Sequence, residues 1–175
     1  MKRKIQYQPI KDAGKGPVAE RFTREVAFPV RGSPEQIEEG RRLMPEFSGD
    51  GLIPCVAQDA ASGEVLMLGY MNREALSLTI TSGYAHYWSR TRRRLWHKGE
   101  RSGQSQKVES IYVDDDQDCI LIKVSLTAGA SCHVGYRSCF FRRLVATGTR
   151  AHSKLEFVEQ TKVYDPVQAY EGNHE

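Results

Sequence analysis

The sequence predicts an α+β domain with a compact, strand-rich core and one or two helices. Three observations carry that reading. Four segments between residues 52 and 126 are alternating or continuously apolar at strand length: 52–58, 64–70, 106–113 and 119–126. Only one stretch in that region, 72–82, has both a helix start and a helix stop. Turn residues rather than long helical patterns separate the strands.

In chain order, residues 1–30 are polar and mixed, and AGKGP reads as a break. Ser33-Pro34-Glu35-Gln36 is a helix start: Ser33 caps, Pro34 suits the first helical position, and Gln36 reaches back. That helix is predicted over about 34–44, ending before Pro45. Leu52–Gln58 and Glu64–Tyr70 form a hairpin around Ala61-Ser62-Gly63. Asn72 caps a helix running to Ser82, and Gly83 closes it. Ala85–Arg90 is a strand, with Trp96–Lys98 on its return or in the loop that follows. Gln106–Val113 and Cys119–Leu126 are strands, Thr127–Ser131 is a small-residue loop, and Phe140–Leu144 is a last short strand. The tail from Thr147 is polar. Three regions result: an N-terminal extension over 1–50, a strand-rich domain over 51–145 and a polar tail over 146–175.

With 175 residues, 39% of them hydrophobic and 27% charged, the chain can bury one sizeable core. A net charge of +3 gives no general case for nucleic acid. Positive charge is instead concentrated at Arg90, Arg92, Arg93, Arg94, Lys98 and Arg101, a patch better suited to a small phosphorylated ligand. No apolar run approaches the ~20 residues of a membrane helix, and the basic N-terminus lacks the apolar segment of a signal peptide. A cytoplasmic location is the expectation. In such a compartment four cysteines read as free thiols or metal ligands.

The run from Ser89 to Cys139 concentrates the chemistry. Asp114, Asp116 and Asp118 alternate, so on an extended segment they would share a face about 7 Å apart. That is either a set of hard oxygen ligands for Mg²⁺ or Ca²⁺ or a solvated acidic turn. No glycine and distal glutamate follow to complete a calcium loop. Cys132 and Cys139 flank His133, offering soft ligands for Zn²⁺ at a spacing unlike a zinc finger; two buried free thiols are the alternative. Cys55 lies in an apolar strand and reads as core. Trp96-His97-Lys98 offers a stacking ring, a proton-transfer group and a charge. Tyr70 and Asn72 read as core and cap, and His86 as structural.

The segments GLIPCVAQD, GEVLMLGYMN, AHYWSRTR, LWHKGE and SCHVGYRSCF, with the aspartate cluster, closely resemble the phosphoribosyl-AMP cyclohydrolase family of histidine biosynthesis. The resemblance covers roughly Gly51 to Phe140. It implies hydrolytic opening of the adenine ring at N1–C6 by a metal-activated water, in a homodimer whose metal sites lie at the subunit interface. It implies zinc for catalysis and magnesium in addition. Carried over by position, Asp114, Asp116 and Asp118 match magnesium ligands, and Cys132 and Cys139 match two zinc ligands. His133 is the candidate catalytic group, with His97 the alternative. Ser89, Arg90, Trp96, Lys98, Glu100 and Ser102 fall in the substrate-binding block. The expected partners are a nucleotide substrate and a second copy of the chain, with neither nucleic acid nor membrane.

One position departs from the pattern. The family's acidic cluster reads Asp-Cys-Asp-x-Asp, and its cysteine is a third zinc ligand reaching the neighbouring subunit's site. Here that position is Asp115. Cys119 follows, but on a strand it would lie about 13 Å from Asp115. Asp115 can bind zinc through oxygen, or the site prefers Mn²⁺ or Fe²⁺, as in a form specialised for scarce zinc. A paralogue acting on another purine nucleotide, or a non-catalytic nucleotide- or metal-binding derivative, is the remaining alternative.

Overall fold

The computed structural model describes residues 5–6, 26–145 and 153–171. Five strands make the main sheet: β1 (Ile5–Gln6), β2 (Ile53–Asp59), β3 (Val65–Met71), β6 (Gln106–Val113) and β7 (Ile120–Leu126), in the order β1-β6-β7-β2-β3. All neighbours are antiparallel except β2 and β7, which run parallel with Cys55 opposite Ile120 and Asp59 opposite Val124. Parallel strands need a long crossover. Here it consists of β3, α2 (Arg73–Ser82), the hairpin β4 (His86–Ser89)–β5 (Arg94–His97), and β6. A second hairpin-like pair, β8 (Arg142–Val145) with β9 (Lys154–Phe157), lies beyond the sheet, and two short helices, α1 (Pro34–Glu38) and α3 (Pro166–Glu171), complete the described chain. The α+β, strand-rich expectation holds.

Alternation explains why one face is buried. In β2, Ile53, Cys55, Ala57 and Asp59 turn inward, and in β7 Ile120, Ile122 and Val124 do the same. They meet Leu66 and Met71 of β3, Ala75 and Leu76 of α2, and Tyr87 of β4 in one core. Each such aliphatic side chain contributes roughly 1.5–3 kcal/mol on full burial. The helix begins at Asn72, whose Oδ1 accepts from Ala75 N at 2.8 Å, and ends at Gly83, whose left-handed φ of 75° suits glycine. Strict alternation fails where the register shifts, between β2 and β3 at Ala57/Gln58 and again in β6. The register of β6 shifts at Glu109, so Gln106 and Val108 face inward at one end while Ile111 and Val113 pack on the core at the other.

Three elements differ from expectation. α1 has the full Ser33/Gln36 capping box but stops at Glu38 rather than running to 44. Gly40 follows, a weak helix former, and the buried Gln117 side chain takes over the backbone: its Nε2 donates to Ile37 O and Arg42 O, and its Oε1 accepts from Met44 N. The polar tail is not structureless, since it supplies β9 and α3. The last strand expected from Phe140 begins instead at Arg142, in register with β9. The break predicted at AGKGP lies outside the described residues.

Candidate active site

The aspartates lie not on a strand but in the turn joining β6 to β7. The chain doubles back there: Asp114 N donates to Cys119 O at 3.3 Å and Cys119 N to Asp114 Oδ1 at 3.0 Å. Gln117 adopts a left-handed φ of 61°, and this curl, rather than strand pleating, draws Asp114, Asp116 and Asp118 together. Their carboxylate oxygens lie within 4.8 Å of one another, all exposed. A hydrogen bond that its protonated carboxyl donates to Asp114, and the charges of Asp114 and Asp116, raise the pKa of Asp118. A dication relieves that repulsion, so the donor set fits a hard metal such as Mg²⁺. Asp115 is exposed on the same turn. Because the chain folds back, the along-strand distance reckoned between Asp115 and Cys119 does not apply; Cys119 sits at the mouth of the turn beside Asp114.

The second constellation is the loop carrying Cys132, His133 and Cys139. It sits at the other end of the sheet, where Cys139 N donates to Leu66 O at 2.7 Å. The thiols of Cys132 and Cys139 are hydrogen-bonded to each other, and Cys139 is pushed up to about 12, first by burial and then by Cys132. Lys98 is almost fully buried beside them, with Nζ 3.4 Å from Gln104 O; burial lowers its pKa while the two cysteines act the opposite way. Two soft ligands side by side, next to a buried cation, fit Zn²⁺ or a similar ion. Among the described residues no third His, Cys, Asp or Glu joins the pair. His133 is exposed on the loop.

Several anchors shape that loop. Arg137 Nη2 meets Asp59 Oδ2 at 2.8 Å, its Nε meets Glu64 Oε2 at 3.0 Å, and Ser138 Oγ donates to Val65 O at 2.8 Å. Glu159 receives Arg137 N and Ser138 N on its two oxygens, at 2.8 and 3.0 Å. Tyr164 Oη donates to Cys132 O at 3.1 Å. From the core side, Tyr87 Oη donates to Gln106 Oε1, and Gln106 Nε2 to Ser131 Oγ. Sequence reasoning found none of these roles. Glu159 and Tyr164 lie in the segment read as a polar tail, and nothing in their local sequence advertises a contact.

The arginine-rich block divides. Trp96 is half-buried against Tyr87, with ring centroids 5.6 Å apart, and lies 5.8 Å from Lys98 Nζ. His97 stacks on His86 at 4.7 Å, and its buried Nε2 has no hydrogen-bond partner among the described residues. Burial lowers the pKa of His86, whose Nδ1 is 2.8 Å from Tyr84 O, in keeping with its structural reading. Glu100 is exposed, and Ser102 Oγ accepts from Gln104 N. Ser89 and Arg90 lie toward the opposite tip of the hairpin. Ser89 Oγ accepts from Arg92 N, and Arg90 stacks over Tyr70 at 3.9 Å. Tyr70 is thus only half-buried, and less a core residue than expected. β7 has seven residues, so at ~3.3 Å each the thiol loop and the acidic turn are about 20 Å apart within one chain. The structure therefore does not bring Asp115 to Cys132 and Cys139.

Fold and site together define an α+β protein carrying two separate constellations of side chains of metal-ligand type, one hard and one soft, at opposite ends of one sheet. A family model for phosphoribosyl-AMP cyclohydrolase matches residues 67–141, which include every candidate site residue. A protein of Rhodopseudomonas palustris (strain BisA53) named phosphoribosyl-AMP cyclohydrolase is 49% identical over 145 residues, 83% of this chain and 98% of the relative. Relatives of the same name in R. palustris (strain ATCC BAA-98 / CGA009) and Nitrobacter winogradskyi are each 48% identical, over 85% and 79% of this chain and 96% and 94% of their own lengths. The chain belongs to the phosphoribosyl-AMP cyclohydrolase family and is a hydrolase.

Proposed function

We propose that this chain hydrolyses the N1–C6 bond of the adenine ring of phosphoribosyl-AMP, in histidine biosynthesis. The observation that carries this reading is the Cys132–Cys139 pair, two adjacent thiols beside a buried ammonium with no third ligand among the described residues of their own chain. In a homodimer, Asp115 of a second copy supplies that ligand, which accords with its exposure on a turn about 20 Å from its own thiols. Cys132 and Cys139 would hold zinc or, given an oxygen ligand at Asp115, Mn²⁺ or Fe²⁺. A dication held there would supply hydroxide at neutral pH. Asp114, Asp116 and Asp118 would hold Mg²⁺. His133 delivers a proton to the departing N1, and His97, whose Nε2 is unpartnered, is the alternative donor. Ser89, Arg90, Trp96, Lys98, Glu100 and Ser102 bind and orient the nucleotide. The chain acts in the cytoplasm; no described helix is long and apolar enough to cross a membrane.

Turnover of phosphoribosyl-AMP by metal-stripped protein, with Zn²⁺, Mn²⁺ or Fe²⁺ restored alongside Mg²⁺, tests the reading. Activity with zinc makes Asp115 an adequate ligand. Activity only with Mn²⁺ or Fe²⁺ assigns the harder metal. No activity with any metal sinks the cyclohydrolase reading and favours another purine nucleotide or a non-catalytic role.

A further inference from the structure

A cavity of about 670 Å³ opens at the acidic-turn end of the sheet, within the ~300–1,000 Å³ usual for small-molecule sites. Phe47, Asp50, Leu52, Arg73, Trp88, Arg90 and Arg93 are among the residues that line it. The three guanidinium groups arrive from different elements. Arg73 is the first residue of α2, while Arg90 and Arg93 belong to the four-residue turn 90–93 that closes the β4–β5 hairpin. The left-handed φ of 50° at Arg93 curls that turn, and the neighbouring Arg92 and Arg94 do not line the cavity.

Aromatic rings back two of the three. Arg73 lies 4.9 Å from the Phe47 ring centroid and 5.6 Å from that of Phe28, and Arg90 lies 3.9 Å from that of Tyr70. Stacking fixes the plane of a guanidinium while leaving its N–H edge free. Among the described residues, none of the three forms an ion pair. The one carboxylate on the lining, Asp50, already accepts from Ser48 Oγ. Three guanidinium groups against a single carboxylate leave the partly apolar cavity with a positive excess, which matches a compact dianion attached to a less polar body.

We infer that this cavity holds the phosphate of a ribose 5′-phosphate, with Arg73, Arg90 and Arg93 as its ligands and Trp88 and Leu52 against the sugar and base. The inference rests on the proposed phosphoribosyl substrate and assigns one of its two phosphate ends. It adds Arg73, from α2, to substrate binding and singles out Arg90 and Arg93 from the arginine patch that the sequence already suited to a phosphorylated ligand. Glu46 and Phe47 link the cavity to the acidic turn, since Glu46 N donates to Gln117 O at 2.8 Å while Phe47 forms part of the wall. The phosphate and the aspartates thus occupy the same end of one subunit.

The test is calorimetric titration of the metal-free, full-length protein with AMP, ribose 5-phosphate, inorganic phosphate and adenosine. Wild type, Arg73→Ala, Arg93→Ala and, as a remote control, Lys107→Ala are compared. AMP and ribose 5-phosphate are expected to bind, inorganic phosphate more weakly, and adenosine weakest. Each arginine variant should lose roughly 10-fold or more in affinity for the phosphorylated probes, but not for adenosine. With phosphoribosyl-AMP, KM should rise in both variants while kcat changes little. Equal AMP affinity in wild type and both variants overturns the inference, as does failure of wild type to bind any phosphorylated probe. The two readings fail separately. Normal turnover with KM unmoved by Arg73→Ala and Arg93→Ala removes the phosphate site and leaves the reaction. Arginine-dependent AMP binding without turnover removes the reaction and leaves the site.

Discussion

At Cys139 a thiol is held near a pKa of about 12, first by burial and then by Cys132 beside it. Such a thiol is a poor nucleophile at neutral pH but becomes a thiolate when a dication takes its proton's place. Cys132→Ser is therefore expected to abolish thiolate-to-metal absorption with Co²⁺ and to remove turnover, while the apo protein melts within a few degrees of wild type. A collapse of the apo protein would instead assign the thiol to packing. Asp59 makes a different kind of prediction. Hydrogen bonds from Ser62, and then Arg137, hold its carboxyl below the ordinary carboxylate range. A group with a lowered folded pKa stabilises the fold above its unfolded pKa of ~3.9 and loses that contribution as pH falls through the folded value. Asp59→Asn should thus lower Tm at pH 7 and flatten the loss of Tm between pH 5 and 2. An unchanged acid limb would exclude Asp59 as its source. Both aspects of Asp59 were hidden in the sequence, where it closes a strand of apolar alternation. Its function depends on Arg137, 78 residues away, and no local pattern encodes that meeting.

At the scale of elements, the loop bearing the thiols is held from two sides. Glu159 and Tyr164, beyond β9, fasten its outer side, while the Tyr87–Gln106–Ser131 chain supports it from the core. Glu159→Ala leaves the Arg137 and Ser138 amides to find water. A loss of about 1–3 kcal/mol in stability is expected, with a weaker metal affinity measurable by chelator competition. Tyr87 also rests directly on Gly69: a Cβ there would lie 2.6 Å from the ring. Gly69→Ala should cost about 1–3 kcal/mol by denaturant unfolding, since neither the ring nor the strand can yield freely. The elements most legible in the sequence were those whose signals are local. Asn72 and Gly83 frame α2, and alternation marks β2 and β7. α1 was overestimated because the Gln117 side chain, from a distant turn, captures the carbonyls that helix extension would have used. β9 and α3 were missed because their residues are largely exposed and carry little periodicity.

For the whole molecule, the decisive geometry is the length of β7, which keeps Asp115 away from Cys132 and Cys139 in the same chain. If the functional unit is a two-fold dimer with each centre drawn from both copies, two dead variants can rescue each other. Mixing Asp115→Ala with Cys132→Ser under conditions that allow subunit exchange should restore roughly a quarter of the wild-type rate, because half the dimers are mixed and each keeps one intact centre. No recovery, with exchange verified by mass, would make each chain self-sufficient. The residue types of the centre could be read from sequence, and so could the anomaly at Asp115. Their separation could not, because it follows from which strands are parallel, and strand order leaves no local trace.

The grip of Gln117 on the segment ahead of β2 has one more outcome. Its side chain takes Met44 N, Ile37 O and Arg42 O, and its own carbonyl takes Glu46 N, so residues 37–46 are tied to the turn that carries the aspartates. A cation that stiffens the turn must also quieten this segment. Adding Mg²⁺ should slow deuterium uptake at the amides of Met44 and Glu46, making these two protons reporters of an ion they never touch.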